Sequence, residues 1–409
     1  MLSLVFRKRW LAALALAATL ASPVSQAAPY TPANDAEVVE RLPLSASDPS
    51  IRRVDSLRKQ LAARPDDAAL RIEIARRYFD LAGAQGDPRY VGYAAAAITP
   101  LADRAADNAS YWLLLGMVQQ YSHEFDKALV SLHRANDINP RDADAMAWRA
   151  AIYMVQARYD KARAECTQMA PLVDPLLAAG CSAYVRAATG ELAPAYADLR
   201  RALDAAGNAP PELKLWAATR LAEMAQRLQQ PAAAEAHFKR ALQLGITDQF
   251  LLAAYADFLL QQQRPAEVMV LLADWERSDV LLLRLALAGQ ATKDSRATAW
   301  AKQMRERFAA ASERSGQRLH EQEAARFALE VDRNARAALE IAADNYKTQK
   351  EPRDAEVLMR SALAANTPAA AQPALAWLRE SRYEDARLAQ LASQLAAAPA
   401  AAASAGGKP

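Results

Sequence analysis

The chain has 409 residues, of which 52% are hydrophobic and 24% are charged, a composition typical of an ordered protein. Glycine is scarce, with 12 residues, which disfavours sandwiches and barrels, and two cysteines exclude a disulfide-dense scaffold and a four-cysteine zinc site. The formal net charge of +3 would suit nucleic acid or a membrane surface, so the position of the excess charge matters.

Residues 1–27 have the pattern of a secretory signal peptide. Three cations at 7–9 precede an apolar run, and small residues lead to Ala27. The apolar run is about half of the ~20 residues that a membrane anchor needs. We therefore expect Sec-type cleavage after Ala27 or Ala28, a periplasmic location and no stable membrane insertion afterwards. The three cations account for the whole excess charge, so the exported chain is formally neutral and we expect no nucleic-acid partner.

The next two segments lead into the helical part of the chain. Residues 28–50 contain four prolines and are predicted to form an extended leader. Residues 51–107 are expected to hold a capping helix and a divergent first helical repeat. The loop at 83–90 within this repeat is longer than a helical repeat requires, so it carries either a function or a tolerated insertion.

A spaced motif begins at residue 109. In chain order its members are Trp112, Leu115, Gly116, Ala128, Leu132, Ala135 and Pro140. This spacing resembles the tetratricopeptide repeat, in which two short helices cross closely. Gly116 and Ala128 are small where the two backbones would approach, and Pro140 would stop the second helix. Gln119 departs from the family pattern, which usually has tyrosine there.

The motif recurs at intervals close to the tetratricopeptide period of about 34 residues. The small residue of the second helix is found at Ala128, Ala162, Ala195, Ala234 and Val268, and similar strings occur at 350–355 and 382–386. An alanine-rich helical bundle with a merely compositional repeat is the alternative, but large residues such as Trp112, Phe125 and Tyr159 keep the same register. The resemblance implies an all-α fold, a right-handed α-solenoid of antiparallel helix pairs known as the TPR superhelix.

The resemblance also divides the rest of the chain. The core array is expected over 108–275, divergent helical repeats over 276–395, and a disordered alanine-rich tail over 396–409. Within the divergent part, Trp300, Met304 and Phe308 have helical spacing, which we interpret as core packing rather than a ligand site.

No motif for catalysis is found. His320-Glu321 lacks the second histidine of a zinc protease helix, and neither phosphate-binding glycine loops nor a nucleophile elbow occur. We therefore expect no enzyme activity, no cofactor and no metal, with an enzymatic site in 278–330 as the weakest reading. Cys166 and Cys181 lie on helices of neighbouring repeats, where either a disulfide or two buried thiols would fit.

The first helices of a tetratricopeptide array line its concave face, where family members bind peptides. Carrying the family positions over gives the candidate peptide-binding residues Leu113, Met117, Gln120, Tyr121, Ala147, Met154 and Tyr184. The Lys/Asn set that clamps a terminal carboxylate in chaperone-binding relatives is missing, so we expect an apolar groove, although packing within a tight superhelix would use the same residues.

The resemblance implies an exported scaffold or adaptor that binds another protein or a peptide segment during envelope assembly. An accessory subunit of a polysaccharide-export or cell-wall synthesis complex is the alternative. The sequence does not determine the oligomeric state.

Overall fold

The computed structural model describes residues 49–315 and 321–398, and over these ranges the chain is helical without a strand. The helices are α1 Pro49–Ala63, α2 Ala68–Gln85, α3 Arg89–Ile98, α4 Ala109–Tyr121, α5 Phe125–Ile138, α6 Ala143–Val155, α7 Tyr159–Met169, α8 Pro175–Ala187, α9 Leu192–Ala205, α10 Pro211–Arg227, α11 Pro231–Leu242, α12 Gln249–Gln261, α13 Pro265–Leu271, α14 Asp279–Thr292, α15 Ala297–Ser315, α16 Glu321–Glu330, α17 Ala335–Asn345, α18 Pro352–Ala364, α19 Gln372–Ser381 and α20 Ala386–Ala397.

The predicted signal peptide at 1–27 lies outside the described residues, as do most of the leader at 28–50 and most of the tail at 396–409. Within the described ranges, none of the helices combines the length and the hydropathy that crossing a membrane requires.

The helices pack as consecutive pairs, which confirms the predicted all-α solenoid. In each pair an even-numbered first helix contacts the odd-numbered helix that follows it, and successive first helices also contact one another. A left-handed residue lies in or beside the turn of each pair, at Gly86, His123, Ala157, Gly190, Gln229, Gln263, Lys293, Arg333 and Asn366. The helix α1 precedes the first pair and contacts α2, and α20 follows the ninth pair.

Close crossing of the two helices in a pair explains the small residues of the motif. A Cβ atom at Gly116 in α4 would lie 2.6 Å from the Cγ atom of Leu132 in α5, so only glycine fits without displacement. Ala128, at the facing position of α5, is fully buried, and so are the equivalent Ala162 and Ala195. The recurring small residue is therefore a packing requirement of each crossing.

The last repeats have a different register from the one that the sequence predicts. The string at 350–355 resembles the strings that lead into second helices, yet it begins the first helix α18. The turns inside the last two pairs lie at Arg333 and Asn366 instead. The string is ambiguous because it encodes a helix start of either kind: Asp354 accepts a hydrogen bond from the Glu351 N–H at 2.9 Å, as in a capping box.

A disulfide links two neighbouring pairs. Cys166 on α7 and Cys181 on α8 are joined, with their Cα atoms 5.6 Å apart, so the structure selects the disulfide over two buried thiols. In the divergent part of the chain, Trp300 and Met304 are buried in the core and Phe308 packs against it, as the helical spacing predicts.

Candidate functional site

The seven predicted groove residues lie on α4, α6 and α8, the first helices of three consecutive pairs. Leu113 and Met117 are buried, at 3% and 5% exposure, and pack within the hydrophobic core. The other five are half-buried, namely Gln120, Tyr121, Ala147, Met154 and Tyr184. None of the seven is exposed in the way that an open apolar groove would require, because distant parts of the chain cover this face.

The turn between α2 and α3 makes one of these distant contacts. The sequence predicts a long loop at 83–90, but this prediction is wrong, because α2 continues to Gln85 and α3 begins at Arg89, which leaves a turn of three residues. Gly86, with φ +64°, lies so close to α12 that a Cβ atom there would be 2.1 Å from the Oε1 atom of Gln249 and 2.9 Å from the Oγ atom of Ser278. The Oε1 atom of Gln85 accepts a hydrogen bond from Nη2 of Arg277 at 2.9 Å. The end of α2 and the turn that follows it therefore join the first pair to the sixth and seventh pairs.

Tyr121 shows where this turn lies relative to the predicted groove. Burial, and to a smaller extent the carboxylates of Asp87 in the turn and Asp279 at the start of α14, raise the pKa of Tyr121 to about 12. The phenol thus stands near both segments and stays protonated at neutral pH.

The C-terminal pairs make the second set of distant contacts. The Lys350 N–H, between α17 and α18, donates a hydrogen bond to the Val155 carbonyl at the end of α6 at 2.7 Å. The Trp377 indole N–H on α19 donates to the hydroxyl of Tyr159, the first residue of α7, at 2.8 Å. The last two pairs are therefore held against the third pair.

Ion pairs fix the inner helices to one another. Arg353 on α18 lies 3.0 Å from Glu223 on α10, and Arg326 on α16 lies 2.6 Å from Asp257 on α12. Arg284 on α14 contacts the same Asp257 at 2.7 Å. Burial opposes ionisation of Asp257, but the two guanidinium groups outweigh it and hold the pKa of this carboxyl well below its usual range. The inner face is therefore charged and paired rather than apolar.

An acidic pair at the start of α18, formed by half-buried Glu351 and buried Asp354, belongs to the same region. Burial, and next the neighbouring Glu351 carboxylate, raise the pKa of Asp354 to about 7, although Gln322 and Asn345 donate hydrogen bonds to it at 2.8 and 2.9 Å. Burial also raises the pKa of Glu351, and Arg353 opposes that shift. Asp354 consequently changes its charge near neutral pH.

An open cleft of about 970 Å³ lies between the third pair and the last two pairs. One wall is the turn from Gln156 to the start of α7 and reaches Arg163, and the other runs from α17 to α19. Trp377 and Tyr346 line it but are only 6% and 3% exposed, so their rings form the base of the cleft rather than open surfaces. A smaller adjoining cleft of about 230 Å³ shares Arg158 with it.

Positive charge dominates this cleft, which we call the basic cleft. Its cationic lining consists of Arg158, Lys161, Arg163, Lys347, Lys350 and Arg382, whereas Asp160 and Glu380 are its acidic lining. Lys347 pairs with Asp344 at 2.8 Å, and Arg163 donates to the Thr189 hydroxyl at 3.3 Å. Within the described ranges, the side chains of three cations, Arg158, Lys350 and Arg382, make no hydrogen bond or ion pair.

Sequence reasoning missed these cations because their spacing is that of an ordinary solvated helix face. Arg158 and Lys161 flank Asp160, and Lys350 is followed by Glu351, so each local window has a balanced charge. The fold separates the signs, since Glu351 stands near the guanidinium of Arg353 while Lys350 lines the cleft.

The chain is similar to several solved helical proteins. One is PilF of Pseudomonas aeruginosa, with 18% identity and a TM-score of 0.37 over 50% of this chain and 94% of PilF. Another is PilW, a type IV pilus biogenesis factor, with 20% identity and a TM-score of 0.40 over 54% of this chain and 99% of PilW. A Rap protein complexed with the Competence and Sporulation Factor is also similar, with 12% identity and a TM-score of 0.45 over 85% of this chain and 98% of the Rap chain. No family model matches the sequence, and no curated protein matches it. The fold assignment therefore rests on the chain's own helix pairs.

Proposed function

We propose that this chain is a non-enzymatic scaffold or adaptor of the bacterial envelope that binds a segment of another protein on the inner side of its helix pairs. The observation that best supports this proposal is the basic cleft, where α6 ends and α7 begins beside the last two pairs. Helical-repeat stacks present such inner surfaces to extended or helical segments.

The partner would contact the half-buried residues that lead to this cleft. Met154 lies near the end of α6, two residues before Gln156 of the cleft wall, and Gln120 and Tyr121 end α4. Ala147 and Tyr184 continue the same face along α6 and α8. Leu113 and Met117 would support these side chains from the core instead of touching the partner.

Export to the periplasm is part of the proposal. The predicted signal peptide at 1–27 and the disulfide between Cys166 and Cys181 both support it, because disulfides persist in oxidising compartments. Cell fractionation followed by N-terminal sequencing tests this part. We expect a periplasmic protein that begins at Ala28 or Pro29 and has no free thiol. A cytoplasmic protein that retains its first residues would refute export.

Site-specific photo-crosslinking in cells tests the binding surface. A photoreactive amino acid at Met154 or Gln156 should form adducts with one and the same partner protein. Matched controls are Val130 on α5 and Val270 on α13, which are 69% and 80% exposed on second helices. Equal adduct yields at the control positions, or no adducts at the inner ones, would contradict binding at this surface.

A further inference from the structure

The cations of the basic cleft identify the kind of segment that it can hold. Six cations face two carboxylates there, and the cations stand on both walls. Like charges brought together by folding repel one another unless a counter-charge joins them. Arg158 and Arg382 are exposed, Lys350 is half-buried, and all three lack a protein partner within the described ranges. Their donors are therefore available to an added anion.

The walls are fixed independently of these cations. The hydrogen bonds from Lys350 N to the Val155 carbonyl and from Trp377 to Tyr159 hold the two sides together through a backbone group and an indole. The cationic side chains are thus not needed to close the fold. A ligand would meet a site whose walls are already positioned, which reduces the entropy lost on binding.

The dimensions of the cleft suit a short extended stretch of polypeptide. Pro373, Ala376, Trp377 and Glu380 line it from one face of α19, and this span of eight residues extends about 10 Å along the helix. An extended chain covers that length in about three residues. Pro373 is exposed and Ala370 and Ala376 are half-buried, so they add accessible apolar lining among the charges, and carboxylates alternating with small apolar side chains match it best.

A single-stranded nucleic acid matches this cleft less well. Such ligands need aromatic faces on which bases can stack, in addition to positive charge. The Trp377 and Tyr346 rings are almost fully buried, and the Tyr159 hydroxyl is already bonded to Trp377. The observations therefore favour carboxylate groups carried on a polypeptide.

We infer that the basic cleft binds an acidic segment of a partner polypeptide, in which Asp or Glu residues alternate with small apolar residues. This inference rests on the proposed function and specifies the chemistry of the partner. Charge complementarity of this kind sets the choice of partner and the association rate, so binding weakens as salt screens the charges.

Fluorescence anisotropy with the exported full-length protein tests the inference. The probe is a short labelled peptide in which Glu alternates with Ala, and its control is the same peptide with Gln. We expect the Glu peptide to bind, the Gln peptide to bind about tenfold more weakly or worse, and the affinity to fall from about 50 to about 300 mM salt.

Two charge-reversal variants locate the site. Arg158→Glu with Lys350→Glu should weaken binding of the Glu peptide by about tenfold or more. Arg52→Glu with Arg53→Glu changes the net charge equally on exposed positions of α1 and should leave binding unchanged. The neutral pair Arg158→Gln with Lys350→Gln should give an intermediate loss, and circular dichroism should show that all three variants fold.

Several results would overturn the inference. They are equal binding of the Glu and Gln peptides, equal losses in the cleft and α1 variants, and tighter binding of an oligothymidylate that depends on the cleft. If the crosslinks from Met154 and Gln156 persist while the Glu peptide fails to bind, the inference of an acidic segment is wrong and the proposed scaffold function still stands. If the Glu peptide binds but no crosslinks form, the proposed scaffold function is wrong.

Discussion

Replacing Gly116 with alanine tests whether close crossing of α4 and α5 explains the repeat motif. The added Cβ atom would lie 2.6 Å from Cγ and 2.8 Å from Cδ2 of Leu132, a side chain with 0% exposure. Carbon atoms do not approach that closely, so Leu132 or the whole of α5 must shift. A well-packed core resists such a shift.

Two opposing effects determine the magnitude. Alanine is about 1 kcal/mol more favourable than glycine inside a helix, whereas overpacking a core costs about 1–3 kcal/mol. We expect Gly116→Ala to lower the free energy of unfolding by up to about 2 kcal/mol. Gly92→Ala in α3 is the matched control, because no atom outside its own helix backbone lies within 4 Å of the added Cβ. This control should gain about 1 kcal/mol.

Urea denaturation followed by circular dichroism measures both variants in the exported full-length protein. Native-state hydrogen exchange would show whether the loss is concentrated in α4 and α5, since helical repeats can open locally. If both substitutions stabilised the protein to the same extent, the crossing would have room for a methyl group. The packing explanation of the motif would then fail.

Three further predictions concern the contacts between pairs. Replacing Cys166 and Cys181 with serine should lower the unfolding free energy by about 3 kcal/mol, as expected for a closed loop of this size, and reductant should then have no effect on the denaturation midpoint. Trp377→Phe should cost about 1 kcal/mol and speed hydrogen exchange at the start of α7; unchanged exchange would argue against the bond to Tyr159. The raised pKa of Asp354, about 7, means that its contribution to stability is present below about pH 4 and is lost as the pH rises through 7. Between these pH values the wild-type midpoint should fall more than that of Asp354→Asn, and parallel curves would contradict this.

The repeating part of the fold could be predicted from the sequence because its causes are local. Gly116 and Ala128 lie where two helices of one repeat cross, so the spacing of small residues in the sequence predicts this crossing. The distant contacts have no such signal. Trp377 and Tyr159 are 218 residues apart, and nothing in either neighbourhood specifies the other. The covering of the inner face by the last pairs could not be anticipated for this reason, whereas Leu113 is buried in the core of neighbouring pairs.

The register of the last repeats shows a second limit. Helix-start chemistry is the same for first and second helices, so the string at 350–355 could be placed in either. The order in which the helices pack resolves the choice and places the turns of the last two pairs at Arg333 and Asn366. Asparagine is common in left-handed turns but arginine is not, so only one of these turns has a sequence signal. Arg382, the residue after the end of α19, belongs to the wall of the basic cleft.

The net charge of the chain does not predict the charge of its binding surface, because folding distributes the charged residues unevenly. Arg7 to Arg9 account for the formal excess, so the rest of the chain is neutral. Folding nevertheless separates the signs, because carboxylates such as Asp257 and Glu223 are paired with guanidinium groups on the inner face while Arg158 and Lys350 remain at the cleft. The covered inner face thus offers little apolar surface, and the proposed recognition takes place at its charged edge. A partner chosen by such an edge is selected by the spacing of its carboxylates, since a neutral protein attracts no polyanion from a distance.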